Sequence, residues 1–119
     1  MIVGIGTDLI EVGRVAKAYE KQAFRSRVYT GREQELISTR MQTAAGNFAV
    51  KEAVAKAFGT GFREVTPIEI EVLREPSGRP YVVLSGRAEG IRQERAIGTI
   101  HVSISNTKEY AVAYVVLEA

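Results

Sequence analysis

The chain of 119 residues has no cysteine and a single histidine. Without thiols it can form neither a disulfide framework nor a thiolate metal site, so any chemistry it performs uses other groups, and its redox compartment stays open. Long apolar runs are missing as well. Tyr110 to Leu117, among the longest, falls far short of the roughly 20 residues that span a bilayer, and the N-terminus has no basic region followed by an apolar one. A cytoplasmic protein without a membrane segment is expected. No linker, repeat or low-complexity stretch divides the chain, and 45% hydrophobic residues supply one modest core, so residues 1–119 read as one domain.

The net charge of +2 conceals an uneven distribution. Between Arg14 and Arg40 seven basic residues stand against three acidic ones, which makes that segment +4 and the remainder −2. Such an excess suits nucleic acid, a phosphate-bearing ligand or an acidic protein; it also suits a plain solvated helix face.

Met1 to Ile10 is short, apolar and β-prone, and it reads as a buried strand. Alternation puts Gly4, Gly6 and Asp8 on one face, setting a carboxylate beside two positions where another backbone or a ligand can come close. The two glycines are not a dinucleotide fingerprint, because Leu9 stands where the third glycine would fall. From Glu11 to about Gln22, Val12, Val15, Ala16, Tyr19 and Ala23 recur at helical spacing, with Arg14, Lys17 and Lys21 as a basic strip on another side. Thr30 followed by Glu33 is a capping box opening a second helix that carries Leu36 and Ile37.

A helix over about Thr43 to Phe58 holds most of the chemistry. Val50, Val54 and Ala57 project to one side, Glu52 and Lys56 to the other, and Gly59 is placed to cap it. By themselves Glu52 and Lys56 make an ordinary exposed i,i+4 ion pair. Phe48, one turn before Glu52 on that side, points instead to a pocket or a subunit interface.

The second half reads as mainly β. Ile68, Ile70 and Val72 alternate with Glu69 and Glu71 as a half-buried strand, Pro76 to Pro80 is turn chemistry, and Tyr81 to Leu84 returns. Ser85 to Arg95 is a weak helix candidate. Thr99 to Ser105 and Tyr110 to Leu117 form a closing antiparallel hairpin. The fold class is α+β: a mainly antiparallel sheet with helices packed against it.

Three stretches, GIGTDLIEVGRV (Gly4 to Val15), FAVKEAVAKAFGTG (Phe48 to Gly61) and HVSISNTKEYAVAYVVLE (His101 to Glu118), resemble the signature blocks of the small bacterial holo-acyl-carrier-protein synthases, in the family's order and over nearly the whole chain. The resemblance implies the phosphopantetheinyl transferase fold, and transfer of 4'-phosphopantetheine from coenzyme A to a serine of an acyl carrier protein in fatty acid biosynthesis. It further implies magnesium and a homotrimer with active sites between subunits.

Asp8 and Glu52 would then hold the magnesium ion, which favours hard oxygen ligands and is often bound by one or two carboxylates plus substrate phosphates. Lys56 would meet a phosphate as a mobile point charge. Gly59, Thr60 and Gly61 match the family's contact with coenzyme A, although a loop that follows a helix reads physically as a helix stop. Gly78 and Pro80 match a turn near the nucleotide and read equally well as hairpin punctuation. Arg14, Lys17, Lys21 and Arg25 would dock the acidic carrier protein.

Two positions depart from the family pattern. Asn47 replaces an arginine that many members carry just before the phenylalanine, which questions one basic contact to coenzyme A. Asn106 replaces a histidine, and asparagine is no base at neutral pH; His101, on a strand, reads as structural. Two other classes stay open at this point. A nucleic-acid-binding domain would use the basic strip but leaves Asp8 and Glu52 without a role, and an inactive assembly subunit would not require Asp8, Glu52 and Lys56 together.

Overall fold

The structure is a computed structural model that describes residues 1–119. Strand β1 (Ile2–Glu11) leads into helices α1 (Val12–Tyr19), α2 (Gln22–Val28), α3 (Gly31–Ile37) and the long α4 (Met41–Phe58). Two 3-10 turns, Gly61–Arg63 and Pro67–Glu69, precede β2 (Ile70–Arg74) and β3 (Pro80–Leu84); α5 (Gly86–Glu94), β4 (Thr99–Asn106) and β5 (Tyr110–Glu118) complete the chain. The α+β class and the antiparallel pairing are as expected. The strands, however, form two sheets: a three-stranded one in the order β1-β5-β4, and the separate β2-β3 hairpin.

Helix α4 is the axis of the molecule. One sheet face packs on it through Ala113, Val115 and Leu117 of β5, while Ile70 and Val72 of β2 and Ile91 of α5 close the same core around Val50, Ala53 and Val54. Val12, Val15 and Tyr19 of α1 join Tyr29, Ile37, Ala44 and Ala45 in a second cluster. Because neighbours surround it, α4 has little amphipathic contrast. A buried helix is apolar on most sides, and here even Asn47 and Lys51 are fully enclosed.

Those two side chains belong to a buried polar cluster organised by Glu33, itself inaccessible to solvent. Lys51 Nζ lies 2.8 Å from Glu33 Oε1 and also donates to the carbonyls of Pro67 (3.0 Å) and Ile70 (2.6 Å). Asn47 Nδ2 donates to Glu33 Oε2 (3.1 Å) and to the Val72 carbonyl (2.9 Å). The capping box is present, with Thr30 Oγ1 accepting from Glu33 N and Glu33 Oε1 accepting from Thr30 N, so one glutamate caps α3 and neutralises Lys51. Burial raises the proton affinity of Glu33 against the opposing pull of Lys51, and burial lowers that of Lys51.

Several local expectations change. The first helix stops at Tyr19, since Lys21 is extended and Arg25 Nη1 takes the Tyr19 carbonyl; Ala23, beyond the break, is exposed. Strand β2 starts two residues later than the alternation suggests, and Ile68 lies before it in the 3-10 turn. Glu71 is buried, not solvated, because Thr30 Oγ1 donates to it (2.5 Å) and Arg32 stands 3.6 Å away. Ser85 to Arg95 does contain a helix: Ala88 and Ile91 reach the core while Glu89 and Arg92 pair outside (2.7 Å). Two glycines inside that segment weaken the sequence signal.

Candidate active site

The site begins with a contact between backbones. A Cβ at Gly6 would lie 1.9 Å from the Ala53 carbonyl oxygen, and one at Gly4 would lie 2.2 Å from that of Ala57. The two glycines thus let β1 lie directly on α4, the close approach that their shared face predicts. Two residues beyond Gly6, Asp8 enters the groove between strand and helix, its side chain only 13% exposed. Glu52 and Lys56 reach the same place from successive turns of α4.

Lys56 pairs with Asp8 and not with Glu52. Its Nζ lies 2.9 Å from Asp8 Oδ1 and 3.1 Å from the Thr7 carbonyl, so the simple helical ion pair is not what forms. Asp8 Oδ2 is buried and has no hydrogen-bond partner. Glu52 is half-buried; its proton affinity is raised first by burial and then by the Asp8 carboxylate, with Lys56 acting against both. A buried carboxylate oxygen without a partner, near a second carboxylate whose proton affinity its charge helps to raise, marks a site short of positive charge. No third histidine, aspartate or glutamate joins the two. That donor set fits a hard cation that completes its shell with water and phosphate oxygens, as magnesium does, and does not fit a closed all-protein site.

Beside the carboxylates a cleft of about 450 Å³ is lined by Leu9, Ile10, Glu11, Arg14, Ala18, Phe24, Phe48, Glu52 and Tyr110. Phe48 therefore lines a pocket, as its position before Glu52 suggests, and Arg14 brings a guanidinium to the wall that holds Glu52.

Residues 4–115 match the 4'-phosphopantetheinyl transferase superfamily. The chain belongs to that family. A holo-[acyl-carrier-protein] synthase of Lachnoclostridium phytofermentans is 56% identical over 118 residues, covering 99% of this chain and 97% of the relative. The crystal structure of the Neisseria meningitidis holo-[acyl-carrier-protein] synthase superposes with a TM-score of 0.90 at 31% identity over the full length of both chains. The Bacillus anthracis enzyme, solved in complex with coenzyme A (3',5'-ADP), gives 0.83 at 38% identity, covering 100% of this chain and 98% of that one.

Against this family background the other expected residues divide. Gly59 is left-handed (φ 78°) and ends α4, its amide bound to the Lys56 carbonyl (2.9 Å), while the Thr60 amide takes the Ala55 carbonyl (3.3 Å). Thr60 is buried and its hydroxyl donates to the Gly61 carbonyl (2.8 Å). These groups serve the helix stop. Gly78 sits in the β2-β3 turn, left-handed (φ 92°), and Pro80 opens β3 opposite Arg74. Strand β3 lies beside β4, and β5 stands between β4 and β1 in the sheet, so no strand pairing joins this hairpin to the strand that carries Asp8.

Arg14, Lys17 and Lys21 are exposed, Lys21 lying past the end of α1. Arg25 is turned back, with its guanidinium 5.6 Å from the Tyr19 ring centroid. Asn47 faces the buried cluster and no surface. Asn106 is exposed at the end of β4. His101 Nε2 pairs with Glu118 Oε1 (2.8 Å) across the outer sheet face, a structural contact that holds the Glu118 carboxyl below its usual range. Lys51 and the second duty of Glu33 are not legible in the sequence, because neither residue stands out by spacing and their contact depends on how α3 packs on α4.

Proposed function

We propose that this chain transfers the 4'-phosphopantetheine arm of coenzyme A to a serine of an apo-acyl carrier protein, in fatty acid biosynthesis, as a single 1–119 domain acting in the cytoplasm. The observation that carries the reading is the buried, unpartnered Asp8 Oδ2, with Glu52 near enough to feel the Asp8 charge and Lys56 paired to Asp8. In the transfer, the serine oxygen forms a bond to the pantetheine-bearing phosphorus and the bond from that phosphorus to the bridging oxygen breaks. The oxygen leaves with adenosine 3',5'-bisphosphate, and the serine proton passes to a base.

Asp8 and Glu52 would hold magnesium, which would supply positive charge to offset that of the pyrophosphate as it reacts. Lys56 contacts a phosphate through a flexible ammonium. Its 53% exposure leaves it free to turn from Asp8 to an incoming anion. Position 106 holds asparagine and the lone histidine is paired with Glu118, so neither supplies the base that takes the serine proton. Gly61 and its neighbours Gly59 and Thr60 border the coenzyme on the Lys56 side.

Gly78 and Pro80 come to the coenzyme from a neighbouring subunit of a homotrimer. The outer face of the β1-β5-β4 sheet supports this assembly: Ile5 (58% exposed), Leu9 (65%) and Tyr114 (53%) stand there together, an apolar patch of the kind that subunits cover. Arg14, Lys17 and Lys21, with Arg25 behind them, form the docking surface for the acidic carrier protein.

Incubation with apo-carrier protein, coenzyme A and magnesium tests the reading directly, by intact mass spectrometry of the carrier for one added arm. Asp8→Asn and Glu52→Gln should each lower transfer by orders of magnitude with an unchanged circular dichroism spectrum. Transfer at the parent rate by either variant would remove the cation site, and absence of any transfer by the parent would remove the function.

A further inference from the structure

We infer that Lys51 is a positioning residue: with Asn47 it clamps the buried Glu33 carboxylate and so sets the rotation of α4 that brings Glu52 opposite Asp8. The inference rests on the reading of Asp8 and Glu52 as the cation site. Glu52 rides on α4 and Asp8 on β1, so their separation depends on how the helix is turned against the strand. At their contact the strand presents Gly4 and Gly6, whose lack of side chains allows the approach to the Ala53 and Ala57 carbonyls. A contact of this kind limits distance, but it offers no side-chain ridge to lock into the helix grooves and fix rotation.

Rotation is fixed from the other elements. Asn47 and Lys51, one turn apart on α4, each bind one oxygen of Glu33. Lys51 is further tied to the carbonyls of Pro67 and Ile70, and Asn47 to that of Val72. Glu33 is itself held by the amides of Thr30 and Val72. Tyr29 adds a bond to the Ala44 carbonyl (2.8 Å) one turn earlier. The bonds of Asn47 and Lys51 are directional and join α4 to Glu33 of α3, to the 3-10 turn before β2 and to β2 itself. For stability alone, apolar residues of similar volume would serve about as well as a buried ion pair; they would not supply the angular restraint.

The lever is short and steep. Side chains reach about 5 to 6 Å from a helix axis, so a turn of roughly 10° displaces the Glu52 carboxylate by about 1 Å. Cation sites tolerate deviations of only about 0.2 Å in ligand distance, and misplacement by about 1 Å at a reacting centre can cost ~10²-fold in rate.

The test measures Mn²⁺ binding to the full-length protein, by the electron paramagnetic resonance signal of free Mn²⁺, beside turnover and thermal melting. Asp8→Asn should abolish the tight binding seen in the parent. The double variant Glu33→Gln with Lys51→Met removes the charges while keeping bulk. It should melt within a few degrees of the parent yet bind Mn²⁺ about tenfold or more weakly, as outer-sphere supports of metal ligands usually show. Its kcat should fall and stay low at saturating Mn²⁺. Asn47→Ala loosens the clamp without leaving a charge unpaired; about threefold weaker binding is expected, and this variant decides the matter if the double variant does not fold. A folded clamp variant with parent Mn²⁺ affinity and parent kcat would reduce Lys51 and Asn47 to a stabilising role and overturn the inference. Parent-like binding by Asp8→Asn would overturn the cation reading itself.

Discussion

Replacing Gly6 by alanine should separate the two halves of the site. The added methyl would sit 1.9 Å from the Ala53 oxygen, 2.9 Å from the Ala53 carbonyl carbon and 3.0 Å from the Ala57 nitrogen. All three are backbone atoms in the middle of the most buried helix, so no side chain can rotate away. Ordinary contact lies near 3.5 Å, which requires α4 to retreat from β1 by roughly 1 to 1.5 Å. Overpacking of this severity costs about 1 to 3 kcal/mol or more, a shift of about 4 °C or more in melting temperature for each kcal/mol in a domain of this size. The same retreat carries Glu52 and Lys56 away from Asp8, and a displacement of ~1 Å is enough for ~10²-fold loss of turnover. Thermal melting and the mass-spectrometric transfer assay read the two effects separately. Gly13→Ala is the control: nothing lies within 4 Å of its added methyl, and at this exposed position of α1 the change should be neutral or stabilise by up to about 1 kcal/mol. A Gly6→Ala protein that melts and turns over like the parent would refute the claim that backbone contact sets the geometry of the site.

Glu52 gives the site a pH dependence of definite sign. Its folded-state proton affinity is raised, so protons compete with a cation for it at a pH where a free glutamate is already ionised; the Mn²⁺ concentration for half-saturation should therefore rise as pH falls from neutral towards the ordinary carboxylate value. In the metal-free protein the raised value means that the contribution of Glu52 to stability declines as pH climbs from the ordinary carboxylate value through the folded one. Metal-free Glu52→Gln should then melt no lower than the parent at neutral pH, with the difference narrowing in acid; a variant clearly less stable at neutral pH would contradict this. Reversing Lys17 and Lys21 to glutamate should raise the KM for carrier protein several-fold, leave that for coenzyme A nearly unchanged, and remove part of the salt dependence of the wild type; equal effects on both substrates would assign the strip to the nucleotide.

Where burial contrast was strong, residue pattern sufficed. The alternation of Gly4, Gly6 and Asp8, the Thr30-Glu33 box, the left-handed stop at Gly59 and the Thr99 to Leu117 hairpin all reappear in the structure. Patterns misled where tertiary contacts reversed a local preference. Glu71 alternates as a solvent residue should, yet α3 covers it. Glu33, Asn47 and Lys51 look like surface positions one at a time, because each is polar; only the fold reveals that they satisfy one another. The proximity of Asp8 to Glu52, separated by more than forty residues, was visible through family resemblance and not through periodicity, while the glycines that permit it were legible in themselves.

The pairing of β1 with β5 has a consequence in time. Thr7 Oγ1 hydrogen-bonds to the Ala113 carbonyl across 106 positions of sequence, and Asp8 lies opposite Ala113 in the same ladder. Closing so long a loop is entropically unfavourable before any compensating contact forms, which slows folding relative to chains with local pairings. Helix α4 and the capped α3 can form from nearby residues, but the strand that carries Asp8 finds its partner only when β5 is available. The ladder that flanks Asp8 is thus completed only once the chain through β5 is available, whereas Glu52 sits on a helix that local contacts can form.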